Sequence, residues 1–159
     1  MVALLILTMQ SKKDEDKARK KYFDFYLKNT KYINNWDLVD VTCRDVVGNY
    51  LLNKDKRILY KMAKSKNIWE KRIAIISTFA FFKYKLLDDS LKIAEILLYD
   101  EHDLIRKAVG WTLREVGKVN LDKELEFLNK YYKTMPRTTL RYAIEKFPRK
   151  QRDFYLGRV

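Results

Sequence analysis

The chain has 159 residues, of which 47% are hydrophobic and 35% charged, so it can bury a sizeable core and is not a disordered chain. Only 4 glycines and 2 prolines are present, which favours long helices joined by short loops over a β-rich fold. The formal net charge of +13 favours an anionic partner, with nucleic acid ahead of a membrane surface or an acidic protein. A soluble protein that is basic for no functional reason is the alternative.

Helices are predicted along the whole chain. Residues 1–9 are apolar but too short to span a membrane, and they lack the basic start and the cleavage site of a signal peptide. We expect them to form the inner part of a helix. Asn67 and Asp103 are predicted N-caps. One further helix is predicted to end at about residue 28, and another is predicted to begin at residue 36. The remaining helices are predicted at residues 56–64, 68–82, 88–98, 104–118, 121–133, 136–147 and 148–156.

A weak internal period supports a repeat architecture. Residues 69–74 resemble residues 104–109 after a shift of about 35 residues, a length that suits a helix-pair repeat, and residues 139–144 resemble a third copy. Each copy has a basic residue followed by an apolar run, and no segment alternates with the period of a strand. The sequence therefore predicts an all-α fold over residues 1–159, in which antiparallel helix pairs stack as a curved solenoid in one domain.

A short polar segment precedes the third predicted helix. Asn35 is a good N-cap residue, and Trp36 and Asp40 are four residues apart, which places an indole and a carboxylate on one helix face. Two interpretations are open: Trp36 packs between helices and Asp40 pairs with Arg44, or both belong to a functional site. The core stripe predicted beside them contains Val39, Cys43, Val46, Val47 and Tyr50.

The predicted helix at 104–118 has a cationic face as well as a core face. Lys107, Trp111, Arg114 and Lys118 recur at helical spacing. A core-facing stripe would not carry three charges, and a merely solvated stripe rarely includes a tryptophan. A charged groove with an aromatic platform is typical of nucleic-acid binding. We therefore predict that these cations bind DNA, and that Gly110 allows another backbone to approach closely.

Cofactor sites are not expected. The single cysteine, Cys43, lies on an apolar stripe and cannot form an internal disulfide, which favours a reducing, cytoplasmic location. The single histidine, His102, has acidic neighbours but no second His or Cys at ligand spacing, so we expect no metal site. The last 26 residues add seven Lys and Arg residues against two acidic residues.

Three segments together resemble a known family. Residues 35–40 (Asn-Trp-Asp-Leu-Val-Asp), residues 69–72 (Trp-Glu-Lys-Arg) and residues 107–114 (Lys-Ala-Val-Gly-Trp-Thr-Leu-Arg) are similar, in order and spacing, to the signature segments of the AlkD-like DNA alkylation repair glycosylases. The resemblance covers nearly the whole chain. It implies a HEAT-like helical solenoid that removes cationic N3- or N7-alkylated purines from double-stranded DNA.

The resemblance also implies roles for individual residues. Asp40 would be the catalytic carboxylate, Trp36 and Trp111 the aromatic walls at the deoxyribose of the lesion, and Arg72 a contact to the nearby DNA backbone. One departure is that the family has further helices before the point where this chain starts. We therefore expect a monomer that could self-associate through the apolar N-terminal helix, and no membrane partner.

Three hypotheses follow: a glycosylase for alkylated purines, a non-catalytic helical-repeat protein that binds DNA, and a protein-binding scaffold. A carboxylate at position 40 favours the first over the second, because a protein that binds only phosphates gains nothing from an acid beside DNA. The cationic face around Trp111 favours both over the third.

Overall fold

The computed structural model describes residues 2–158 and confirms the predicted all-α class, since no β-strand occurs within that range. A 3₁₀ turn lies at Thr30–Tyr32, a π-helical segment at Arg44–Gly48 and a second 3₁₀ turn at Ile144–Lys146. The α-helices are α1 (Val2–Lys13), α2 (Asp16–Lys28), α3 (Trp36–Asp40), α4 (Asn49–Leu51), α5 (Arg57–Ala63), α6 (Ile68–Ser77), α7 (Phe79–Phe82), α8 (Asp88–Leu97), α9 (Asp103–Val119), α10 (Leu121–Tyr131), α11 (Arg137–Ala143) and α12 (Arg149–Tyr155).

The helices form two layers of stacked pairs. One layer contains α3 with the π-helical segment, then α6, α9 and α11, and each member packs against the next. The other layer contains α2, α5, α8 and α10, which cover the first layer from one side. Side chains between the layers form one apolar core, whose fully buried members include Ile73, Ile105 and Leu113. The first layer is called the inner layer below, because it carries every candidate site residue.

Neighbouring inner helices contact each other at a nearly constant sequence offset. Arg72 on α6 bonds Asp40 on α3 and the carbonyl of Leu104 on α9, and each contact spans 32 residues. Phe79 and Trp111 pack together at the same offset. The three helices are therefore stacked in register, which determines the residues that can form a site.

The predicted helix that starts at Trp36 is not continuous. It ends at Asp40 and resumes as the π-helical segment and α4. The Thr42 hydroxyl bonds the carbonyl of Leu38 at 2.5 Å and lies 2.9 Å from the hydroxyl of Tyr26. A threonine that bonds back to the preceding turn competes with the backbone ladder and bends helices. Of the stripe that was predicted here, Val39, Cys43, Val46 and Val47 are buried, and Tyr50 is partly buried.

The first helix has one packed side and one exposed side. Leu4 and Leu7 pack against the core, while Val2, Leu5, Ile6 and Met9 are exposed. This exposed apolar surface is what self-association would need, and that prediction stays open. Within residues 2–158, no helix combines the length and the apolar character needed to cross a bilayer.

Candidate functional site

The Asp40 carboxylate is held by Arg72 from the next inner helix. Arg72 Nε donates to Oδ1 at 2.8 Å and Nη2 donates to Oδ2 at 2.7 Å, so the pair is bidentate. The side chains of Arg72 and Asp40 are only 7% and 13% exposed. Arg72 Nη1 also donates to the carbonyl of Leu104 at 2.8 Å. The predicted alternative pairing of Asp40 with Arg44 was wrong, because the Arg44 guanidinium lies instead 3.7 Å from Asp45.

Side-chain caps set the starting points of the two helices that meet at Arg72. Asn67 accepts a hydrogen bond from the Trp69 backbone N–H at 2.9 Å, which confirms the predicted N-cap of α6. The N-cap of α9 is His102, whose Nδ1 accepts from the Leu104 N–H at 3.2 Å. The prediction of Asp103 as this cap was wrong, since Asp103 is the first helical residue. The two caps fix where α6 and α9 begin, and Arg72 near the start of α6 bonds Leu104 near the start of α9.

Trp36 is the first residue of α3, one turn before Asp40, and its indole is 53% exposed. The predicted capping role of Asn35 is only partly realised, because its backbone is extended but its side chain makes no capping bond. The Asp37 carboxylate instead accepts from the Leu38 N–H at 2.7 Å. About half of the Trp36 surface is not covered by the protein, so this part of the indole is available to a ligand.

Trp111 is more constrained than Trp36. Its ring packs edge-on against Phe79, with ring centroids 4.8 Å apart and an interplanar angle of 83°. Its Nε1 donates to Glu115 Oε1 at 3.2 Å. The indole is therefore half-buried and oriented by two neighbours. Phe79 was not identified as a site residue from the sequence, because it lay in an apolar run that reads as core.

Every cation predicted on the face of α9 is paired with a carboxylate. Lys107 Nζ lies 2.6 Å from Asp103, Lys118 Nζ lies 2.7 Å from Glu115, and Arg114 pairs with Glu145. The bond between Lys107 and Asp103 raises the pKa of the lysine and lowers that of the aspartate. These pairs reduce the positive field that the sequence pattern predicts for this face.

Glu115 links three of these side chains. It accepts from Trp111 and Lys118, and the Arg114 Nε lies 3.7 Å from it. Sequence reasoning missed Glu115, although its spacings of four residues from Trp111 and three from Lys118 are those of helical side-chain pairs. Helical spacing could therefore have shown that the cationic face also contains a carboxylate.

Other reactive groups lie outside this arrangement. Burial raises the pKa of the Cys43 thiol to about 12, so Cys43 is a core residue and not a nucleophile. Among residues 2–158, no three His, Cys, Asp or Glu side chains lie close enough together to hold a metal ion. Asp40 lies on the same helix as Trp36, and Arg72 with its bond to Leu104 joins it to α9, the helix that carries Trp111.

The comparisons with known proteins agree with this architecture. Residues 1–147 match the family model described as DNA alkylation repair enzyme. A solved structure, a predicted DNA alkylation repair enzyme from Enterococcus faecalis, has a similar fold with a TM-score of 0.70 and 18% identity. That match covers 93% of this chain and 68% of the other. No curated protein sequence matches the chain. Because the family match covers most of its length, the chain belongs to the DNA alkylation repair enzyme family, which supports a role in DNA repair.

Proposed function

We propose that this protein is a DNA glycosylase that hydrolyses the N-glycosidic bond of purines alkylated at N3 or N7 in double-stranded DNA. The observation that carries the proposal is the carboxylate of Asp40, which lies one turn after Trp36 on α3 and is joined through Arg72 to α9, the helix that carries Trp111. Membership of a DNA alkylation repair family favours this substrate class over other anionic partners.

Cleavage of this N-glycosidic bond needs a carboxylate but no general acid. A purine alkylated at N3 or N7 carries a positive charge, so it keeps the electron pair of the C1′–N9 bond and leaves as a neutral base. The deoxyribose then has oxocarbenium character, which negative charge stabilises. A water adds its oxygen to C1′ and transfers a proton to Asp40. The products are a free alkylpurine and an abasic site.

Asp40 can perform both tasks while Arg72 holds it. A carboxylate has about four lone-pair positions, and Arg72 takes one on each oxygen, so each oxygen can still accept a hydrogen bond from water. The bidentate contact fixes the plane of the carboxylate before substrate arrives, which is the preorganisation that electrostatic catalysis requires. In the same site, we propose Trp36 and Trp111 as the aromatic walls that face the developing positive charge.

Arg72 has a structural role in addition to the proposed DNA contact. Its guanidinium has five N–H donors, and its three nitrogens already bond Asp40 and Leu104. Two N–H groups are left for a backbone phosphate beside Asp40. We therefore propose that Arg72 first orients the carboxylate and then contacts the phosphate next to the lesion.

A second candidate function is a non-catalytic DNA-binding repeat protein. The same ion pair favours it. Arg72 bonds both oxygens of Asp40, and an arginine in a purely structural ion pair binds a carboxylate in the same way. In that case, Asp40 would only join α3 to α6. The two functions differ in whether the charge of Asp40 is needed for chemistry.

Release of free base from methylated duplex DNA by Asp40→Asn decides between them. Asn keeps the size of the side chain and removes the charge, so we expect excision to fall by roughly two or more orders of magnitude. Asp37→Asn is the matched control, because it removes one negative charge from the same helix away from Arg72, and its excision should stay near that of the parent. Unchanged excision in folded Asp40→Asn would remove Asp40 from the mechanism and favour the DNA-binding repeat protein.

A further inference from the structure

Positive charge that carboxylates do not balance lies in two cavities beside the proposed site, and not on the face of α9. On that face, Lys107, Arg114 and Lys118 pair with Asp103, Glu145 and Glu115, so each cation has one carboxylate partner. The two cavities, by contrast, collect cationic side chains that outnumber their carboxylates.

The first cavity, here the C-terminal cavity, lies between α9, α11 and α12 and has a volume of about 560 Å³. Its polar lining includes Lys107, Thr138, Arg141, Tyr142, Arg152 and Arg158. Asp103 and Glu145 also line it, but each already pairs with a cation, Lys107 and Arg114 respectively. Arg141 and Arg152 form no ion pair with a carboxylate among the described residues, so their guanidinium groups are available to an anion.

The second cavity, here the N-terminal cavity, lies between α1, α2, the π-helical segment and α7 and has a volume of about 420 Å³. Lys12, Arg19, Arg44 and Lys83 line it together with a single carboxylate, Asp45. Lys12 lies 3.1 Å and Arg44 3.7 Å from Asp45, so one carboxylate is shared by two cations. Arg19 forms no ion pair with a carboxylate among the described residues, so its charge adds to the excess of positive charge in this cavity.

The two cavities lie on opposite sides of Trp111. The helix α9 packs against α6 and α7 on one side and against α11 on the other. Phe79, which packs against the Trp111 ring, lines the N-terminal cavity. Lys107, one turn before Trp111, lines the C-terminal cavity. A strand that crosses Trp111 therefore meets one cavity before the indole and the other after it.

We propose that these two cavities bind backbone phosphates of duplex DNA on either side of the nucleotide at Trp111, with Arg141 and Arg152 in one and Arg44 and Lys83 in the other. The inference rests on DNA as the partner in the proposed function. Guanidinium groups suit this ligand because their planar N–H pairs match two phosphate oxygens. Arg114 and Lys118 then hold Glu115, which accepts a hydrogen bond from Trp111, and they contribute little to phosphate binding.

The spacing favours a polymer over a small anion. Packed helices lie 8–10 Å apart, so cavities on the two sides of α9 are separated by roughly 16–20 Å. That distance corresponds to roughly five base pairs at 3.4 Å each. A free phosphate or a single nucleotide fills one cavity but cannot bridge both, whereas a duplex occupies both at once.

The test measures the affinity for unmodified duplex DNA as a function of salt, so it does not depend on excision. Arg141→Ala/Arg152→Ala and Arg44→Ala/Lys83→Ala should each weaken binding at least roughly tenfold and make the salt slope shallower by about two phosphate contacts. Lys61→Ala/Lys92→Ala is the matched control, because it removes two exposed lysines from α5 and α8 in the other layer. This control should keep the slope of the parent.

Three outcomes would overturn the proposal. The cavity variants could keep the salt slope of the parent, or binding could be lost in Arg114→Ala but not in the cavity variants. The third is that inorganic phosphate displaces the duplex when its concentration equals that of the phosphate groups of the DNA. The same substitutions to Gln serve as a second set if an Ala variant melts early. Failure of the proposed function is distinguishable, because a protein that binds DNA through the cavities yet releases no base retains this inference.

Discussion

Gly110 on α9 lies directly against the backbone of α11. A Cβ added to Gly110 would stand 2.4 Å from the carbonyl oxygen of Thr139 and 2.5 Å from the Cβ of Tyr142. Gly48 has the same relationship to Ser77, whose carbonyl oxygen would lie 2.1 Å from an added Cβ. The two contacts span the same number of residues, so a glycine recurs at equivalent close approaches between neighbouring inner helices.

Gly110→Ala should destabilise the protein. In the interior of a helix, this change normally stabilises by about 0.5–1 kcal/mol, because alanine loses less backbone entropy. Here the new methyl group meets a backbone carbonyl that cannot move alone, and overpacking of this kind costs about 1–3 kcal/mol. We therefore expect a lower free energy of unfolding in urea. A variant that is more stable than the parent would contradict the close approach.

The close approach at Gly110 could be predicted from the sequence, because a glycine within an otherwise well-formed helix needs a local reason. The all-α class could be predicted from the scarcity of glycine and proline and from the helical spacing of apolar residues. Asn67 could be recognised as a cap by residue type alone, since a cap depends on neighbours within three residues.

The partner of Asp40 could not be predicted, because Arg72 lies 32 residues away. That contact depends on the register of two stacked helices, and a period of about 35 residues does not determine register to the residue. The local candidate, Arg44, was therefore the only partner that helical spacing could offer. The contact between Phe79 and Trp111 and the pairing of Arg114 with Glu145 depend on register in the same way.

Breaking the pair of Asp40 and Arg72 should cost stability as well as activity. Both side chains are largely buried, and removing one partner of such a pair typically costs about 3–5 kcal/mol. Asp40→Ala should approach this range, while Asp40→Asn should cost less, since its amide oxygen still accepts one N–H. Urea unfolding of each variant gives the values, and base release should be measured well below each melting temperature.

The double variant Asp40→Asn/Arg72→Met provides the control for that pair. If the two side chains stabilise the fold through each other, the double variant should lose less stability than the sum of the single variants. Arg44→Ala is the comparison on the same segment, and its effect should stay within about 0.5 kcal/mol because its side chain is exposed. Additive losses in the double variant would mean that Asp40 and Arg72 stabilise the fold independently.

Glu115→Gln should strengthen DNA binding. The substitution removes the negative charge that Lys118 pairs with and that Arg114 approaches, and it keeps an oxygen that can accept from Trp111. The released Lys118 should add about one phosphate contact and make the salt dependence steeper, while Arg114 keeps its partner Glu145. Titration of duplex DNA at several salt concentrations measures both changes. Weaker binding by folded Glu115→Gln would show that the carboxylate itself is needed to position Trp111 or Arg114.

Glu124 makes the stability of the C-terminal half depend on pH. Its carboxyl group is buried against Gly117, Oε1 has no hydrogen-bond partner among the described residues, and burial raises its pKa to about 8. The positive charge of Arg114 opposes this shift without cancelling it. Glu124 is therefore protonated in the folded protein at neutral pH, whereas in the unfolded chain it ionises near its ordinary pKa of 4.5.

Between pH 4.5 and about 8, the folded protein binds one more proton than the unfolded chain at this group, so unfolding releases a proton. The free energy of unfolding should therefore fall as the pH rises through this window, by roughly 3 kcal/mol between pH 5 and pH 8, and then level off. Glu124→Gln cannot titrate and should flatten the profile. Both proteins should be unfolded in urea at steps of half a pH unit from pH 5 to pH 8.5. This range avoids the acidic region in which Asp88 and Asp103, whose pKa values are lowered, lose their charge. If Glu124→Gln keeps the full slope of the parent, another group is responsible for the loss of stability.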